Sequence, residues 1–87
     1  MHEMEAIAAL KLDTVKNILK ALLEGKTVSH HDLAKKLSIS SQGLTWQMNR
    51  LRETGMIQQN KNGLTVTYAI DANYVSVIAK GVATLEE

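Results

Sequence analysis

The chain contains no cysteine, no proline and no phenylalanine, and it has only one tryptophan and two tyrosines. Without cysteine, disulfides and thiolate metal sites are excluded. There is no low-complexity tract or internal repeat to divide the chain into a linker and separate units. No apolar run approaches the roughly 18 to 20 residues that span a bilayer. The start, "MHEMEAIAALK", lacks a basic segment followed by a small-residue cleavage site, so it does not read as a signal peptide. A cytoplasmic location is the expectation. Glycine is sparse as well. Its five residues are scattered and form no phosphate-cradling loop.

What is present suits one small domain over residues 1–87. A domain of this size buries only roughly 60% of its unfolded surface, so it is marginal alone and a second subunit would help it. The 45% hydrophobic content is mostly Leu, Ile, Val, Ala and Met, enough for a small helical core. A net charge of +1 hides an asymmetry. Over residues 26–70, six basic side chains face Asp32 and Glu53 alone, while the two ends together are acidic. A basic middle is compatible with a nucleic-acid face there, but charge alone favours an ordinary mixed surface.

Along the chain, "AIAALK" reads as a short helix of uncertain end. "LDTVKNILKALLEG" reads as a second helix, with Asp13 as its cap, Val15, Ile18, Leu19, Leu22 and Leu23 as its apolar stripe, and Gly25 as its stop. "KTVS" suffices only for a bridging strand. In "SHHDLAKKL", Ser29 stands three residues before Asp32, a variant of the capping box, and Leu33, Ala34 and Leu37 face inward. "SIS" is a tight break that buries Ile39, after which Ser40 caps a helix from about Ser41 to Glu53. At about 100° per residue, Leu44, Met48 and Leu51 share one face of that helix. Gln42, Trp46, Asn49 and Glu53 fall on the opposite face, flanked by Thr45 and Arg50. Gly43, which lowers helix stability by about 1 kcal/mol, suggests close approach of the preceding helix. Gly55 ends the helix.

Beyond it the apolar period changes from 3.6 to 2. Leu64, Val66, Tyr68 and Ile70 alternate with Thr65, Thr67 and Ala69, and Asn62-Gly63 signals a type I′ hairpin. "DANYVSVIAKGVATLEE" reads as a last helix with Val75, Ile78, Val82 and Leu85 along one stripe.

Helix, short strand, helix, tight turn, helix, hairpin is the order of a winged helix-turn-helix. The predicted fold class is therefore α+β, mainly α, with a core over about 12–70 and terminal helices over about 2–11 and 72–85. "ILKALLEGKTVSHHDLAKKLSISSQGLTWQMNRLRETGMI…NGLTVTYAI" resembles the ArsR-type winged-helix transcriptional regulators and their archaeal relatives. The resemblance covers about residues 9–70. It is carried by Ile18-Leu19, Leu33-Ala34…Leu37, Ser40, Leu44-Thr45-Trp46-Gln47-Met48, Gly55-Met56-Ile57, Gly63 and Tyr68-Ala69-Ile70. MarR-type regulators share much of this pattern. Three places depart from it: Val15 stands where the family usually has Arg, Gln47 where it often has His, and the wing offers only Lys61 as a base.

On such a fold the third helix enters the major groove, and its outward polar side chains reach base edges. Gln42 and Asn49 have the bidentate geometry suited to adenine. Arg50 suits guanine or phosphate, and Thr45 suits a phosphate or a thymine methyl. The expected DNA-binding set is Ser41, Gln42, Thr45, Trp46, Asn49 and Arg50, with Lys61 and Asn62 on the wing. His30 and His31 diverge by about 100° on a helix, so they do not readily share an ion. The resemblance adds that metal-sensing relatives use Cys pairs or an Asp/His/Glu set on the last helix, and here that helix has no His. Ser29, His30 and Asp32 are too close in sequence to read as a triad, and capping explains two of them. Neither a metal, a cofactor nor an enzymatic activity is expected, and no effector can be named.

Met4 and Ile7 near the start and Val75, Ile78, Val82 and Leu85 near the end have little core left to cover. They are expected to form a homodimer interface, in keeping with the resemblance, unless the first helix packs on the last within one chain. The resulting expectation is a dimeric, sequence-specific regulator of transcription that binds an inverted repeat in double-stranded DNA. The competing reading is a winged-helix module that binds protein and leaves DNA alone.

Overall fold

Helix α1 (His2–Gly25) leads through β1 (Thr27–Ser29) to α2 (His30–Leu37) and α3 (Ser41–Glu53) in the computed structural model, which describes residues 2–86, with side chains described over 13–85. The hairpin strands β2 (Ile57–Asn62) and β3 (Thr65–Ile70) follow, then a 3-10 turn (Ala72–Tyr74) and α4 (Val75–Glu86). This is the winged helix-turn-helix order expected from the sequence. The three antiparallel strands lie in the order β1-β3-β2, so β3 is central. Its Thr67 pairs with Ser29 of β1, and its Tyr68 with Gln59 of β2.

The core lies where the three helices meet the sheet. Ile18 and Leu22 of α1, Leu33 of α2, and Leu44, Met48 and Leu51 of α3 close on Ile57 and Tyr68. Each large apolar side chain taken out of water contributes roughly 1.5–3 kcal/mol before entropy is counted. Val15, Leu19, Ala34, Leu37 and Ile39 pack around this centre. Both predicted serine caps form: Ser29 Oγ accepts from Asp32 N at 3.1 Å, and Ser40 Oγ from Gly43 N at 3.0 Å. Between them α2 stops at Ser38, which takes a left-handed conformation (φ 55°). Ile39 N then reaches back to Ala34 O at 3.1 Å.

Several local expectations are corrected. Residues 2–11 are not a separate helix and Asp13 is not a cap. Both lie within the continuous α1, because nothing between Ala6 and Lys16 breaks a helix. Asp13 sits 4.0 Å from Lys16 one turn on. At the far end of α1 the left-handed residue is Lys26 (φ 64°), not Gly25. Gly25 has another reason to lack a side chain: a Cβ there would lie 2.7 Å from Val28 Cγ2.

The hairpin turn is one residue later than expected. Asn62 pairs with Thr65, so the two loop residues are Gly63 and Leu64. Only Gly63 of this pair has positive φ (65°), the requirement of a II′ turn rather than I′. Leu64 therefore leaves the inward row of β3 and stands fully exposed at the tip, while Val66, Tyr68 and Ile70 keep their inward places.

The last predicted helix begins with the 3-10 turn, where Asp71 Oδ1 accepts from Asn73 N at 2.9 Å, and only then becomes α. Of its stripe, Ile78 and Val82 are already buried in the single chain, where α4 packs on α1. Val75 and Leu85 stay exposed, joined by Val77 and Tyr74. Met4 and Ile7 lie outside the described side chains.

Candidate nucleic-acid interface

α3 presents two contrasting faces. Leu44 and Met48 are wholly buried and Leu51 nearly so, which fixes the rotation of the helix about its axis. Gln42, Trp46 and Asn49 on the opposite face, and Ser41, Thr45 and Arg50 beside them, are all exposed, as are Lys61 and Asn62 at the end of β2. All eight residues of the predicted set are thus accessible to a partner.

Ser40 anchors the start of this helix. Besides the side-chain cap, Ser40 O accepts from Leu44 N at 2.9 Å. Gly43 is explained by the cap and not, as expected, by the preceding helix: a Cβ there would come 3.0 Å from Ser40 Oγ. The first turn holds no acidic residue, and the last turn carries Arg50 and Arg52. The helix dipole leaves its N-terminal end favourable to an anion such as a phosphate, and cations suit its C-terminal end.

On the outward face the side chains pair with one another. Arg50 lies over the Trp46 ring, 4.9 Å from its centroid. Thr45 Oγ1 donates to Ser41 O at 2.9 Å, and Arg52 Nη1 donates to Asn49 Oδ1 at 3.4 Å. Asn49 is therefore linked to a base outside the expected set. Arg52 was legible from its spacing, three residues from Asn49 on a helix.

A second residue missed from sequence is His30. Its Nδ1 lies 2.7 Å from Tyr68 Oη, and its Nε2 lies 3.0 Å from Ser41 Oγ and 3.1 Å from Ser41 O. The usable signal was an inward-facing tyrosine on a strand, which needs a polar partner for its hydroxyl when buried. Burial raises the Tyr68 phenol above its ordinary pKa, against the opposing charge of Arg52, so the phenol keeps its proton. Just beyond the end of β3, Asp71 is held below the usual carboxylate range. The Asn73 backbone N–H is the main cause, and the Gln58 amide, 2.6 Å away, adds to it.

Among the described residues, no three His, Cys, Asp or Glu side chains gather as metal ligands. Among the same residues, no helix is long and apolar enough to cross a membrane.

Residues 11–58 match the family model described as winged helix-turn-helix DNA-binding. No curated protein matches the chain. Solved structures share its fold. NadR in complex with 4-hydroxyphenylacetate superposes with a TM-score of 0.74 at 21% identity, over 97% of this chain and 62% of NadR. The AntR antimony-specific transcriptional repressor gives 0.73 at 23%, over 97% and 79%. ZitR of Lactococcus lactis, a zinc-responsive MarR family member, gives 0.69 at 21%, over 84% and 52%. The chain spans less than two thirds of NadR and about half of ZitR. At these identities the likeness is one of fold.

Proposed function

Because the chain belongs to the winged helix-turn-helix DNA-binding family, we propose that it is a sequence-specific transcriptional regulator acting as a homodimer on an inverted-repeat operator. The observation that carries the reading is the division of α3. One stripe is sunk into the core, and the outward face holds Gln42, Asn49 and Arg50, side chains of the kind that read base edges in a major groove, with Trp46 among them. Ser41 and Thr45 stand at the helix start, where a phosphate would lie, and Lys61 and Asn62 would meet the backbone from the wing.

The homodimer is supported by the apolar surface that Tyr74, Val75, Val77 and Leu85 expose along the 3-10 turn and α4. Two copies would set their α3 helices about one turn of DNA apart, roughly 34 Å. Within the family, the spacing of Leu33-Ala34…Leu37 and Gly55-Met56-Ile57 supports kinship with ArsR-type regulators, with MarR-type regulators the competing kinship. The proposed role needs no bound metal or cofactor and no chemical step.

A second reading, a protein-binding module, is favoured by the wing alone. Its tip exposes Leu64 completely, and its only base is Lys61. A mobility shift on random-sequence duplex at low salt separates the two. A regulator retards the duplex, loses it steeply as salt rises, and selects a palindromic site from a random pool. Failure to shift any duplex at low salt would remove DNA as the partner.

A further inference from the structure

We propose that His30 is a positioning residue for α3: its imidazole ties the first residue of that helix to the central strand of the sheet and so sets the angle at which α3 meets DNA. The proposal rests on the DNA-binding reading above and concerns how that reading becomes sequence-specific.

His30 is the first residue of α2 and directly follows β1. It is half-buried, and it bridges two elements distant in sequence. On one side is Tyr68, on β3 and 4% exposed, its backbone held between Val28 and Gln59 in the sheet. On the other is Ser41, the first residue of α3. The two rings lie 5.8 Å apart at 50°.

One tautomer of the imidazole suits all of its partners. A neutral imidazole has one N–H and one bare nitrogen. The buried phenol retains its proton and donates it to Nδ1. The imidazole proton then sits on Nε2, which faces a carbonyl oxygen that can only accept, Ser41 O. This tautomer leaves none of the three groups unsatisfied. Ser40 caps the start of α3, the turn joins it to α2, and Leu44 packs its first turn into the core. His30 adds a tether from this turn to the wing sheet.

The consequence separates two kinds of DNA contact. Base-edge hydrogen bonds need α3 in one place, whereas phosphate contacts tolerate a small tilt and carry no sequence information. Loosening the tether therefore costs operator affinity and spares general duplex affinity.

The test compares wild type with His30→Ala, His30→Phe, His30→Gln and Tyr68→Phe on a selected operator and on random-sequence duplex. Circular dichroism melts confirm folding of each. His30→Ala and His30→Phe are expected to lose about tenfold on the operator, the scale of one hydrogen bond, with random duplex bound as before. His30→Gln, whose amide can donate to Ser41 O, is expected to recover part of the loss. Tyr68→Phe should reproduce the loss, and pairing it with His30→Ala should add little. Amide hydrogen exchange in the free protein gives a readout independent of DNA: Gly43, Leu44 and Thr45 should exchange faster in His30→Ala. Equal losses on operator and random duplex, or no loss on the operator, would overturn the positioning role. Unchanged exchange over those three amides would overturn the tether. A wild type that binds neither duplex would overturn the DNA reading itself, while the exchange result would still decide the tether.

Discussion

The Arg50 guanidinium stacks on the Trp46 indole, 4.9 Å from the ring centroid. The pair is four residues apart on α3, so it spans one turn of the face opposite the core. A contact of this kind at an exposed site contributes about 0.5–1 kcal/mol. Its larger effect is to limit where a long, flexible side chain points before any partner arrives.

Arg50→Ala is expected to weaken operator binding by about 1–3 kcal/mol if the guanidinium reads a base. Trp46→Ala should weaken it less, because Arg50 persists but loses its platform. Titration of operator duplex against both variants checks the order. Trp46 is 49% exposed, so its emission should peak at an intermediate wavelength and shift or quench on operator DNA. Emission typical of a buried indole, indifferent to DNA, would contradict this placement.

Gly43 and Ser40 should be energetically coupled. Alanine at Gly43 adds helix propensity worth about 1 kcal/mol, but its Cβ would sit 3.0 Å from the capping hydroxyl. Ser40→Ala removes the cap at a cost of about 1 kcal/mol. Gly43→Ala should therefore stabilise the Ser40→Ala protein more than it stabilises wild type. Denaturant melts of the four proteins measure the difference, and strict additivity would argue against the contact.

Two neighbours on α4 should respond in opposite ways to a charge. Ile78 is buried in the single chain, so Ile78→Asp should unfold the protein by leaving a charge unpaired in its interior. Val77 is 66% exposed, so Val77→Asp should leave the fold intact and weaken a dimer built on that face. Thermal melts and sedimentation, run on both, distinguish folding from assembly. A wild type that sediments as a monomer at tens of micromolar would sink the dimer.

Alkaline pH should destabilise the protein through Tyr68. Its folded-state pKa is raised above the unfolded value of about 10 by burial, so the folded chain holds the phenol proton more tightly. The resulting stability is complete below the unfolded pKa and is lost as pH rises through the folded one. Tyr68→Phe should flatten that part of the pH profile above about pH 10. Denaturant midpoints measured across this range check it.

Local features of this molecule were legible because their causes are local. Ser29 and Ser40 cap the amides three residues on, and Leu44, Met48 and Leu51 return to one face by helical geometry alone. From those facts α2, the turn, α3 and the outward place of Trp46, Asn49 and Arg50 follow without knowledge of the fold. The tertiary structure decided what depends on distant partners. Asp13 looks like a cap, but α1 runs through it, since its cue competes with the good helix formers that precede it, Ala8 to Leu12. Asn62-Gly63 looks like a turn, but the pairing of Ile57 with Ile70 and Asn62 with Thr65 moves the turn to Gly63 and Leu64. The stripe of α4 is apolar whichever surface covers it, and only packing on α1 divides it into buried Ile78 and Val82 and exposed Val75 and Leu85. His30 is the plainest case. It is a histidine beside another histidine in the sequence, and its partners lie 38 and 11 residues away. Periodicity tells which way a side chain points from its own element, and only the topology of the chain brings Tyr68 and Ser41 to meet it.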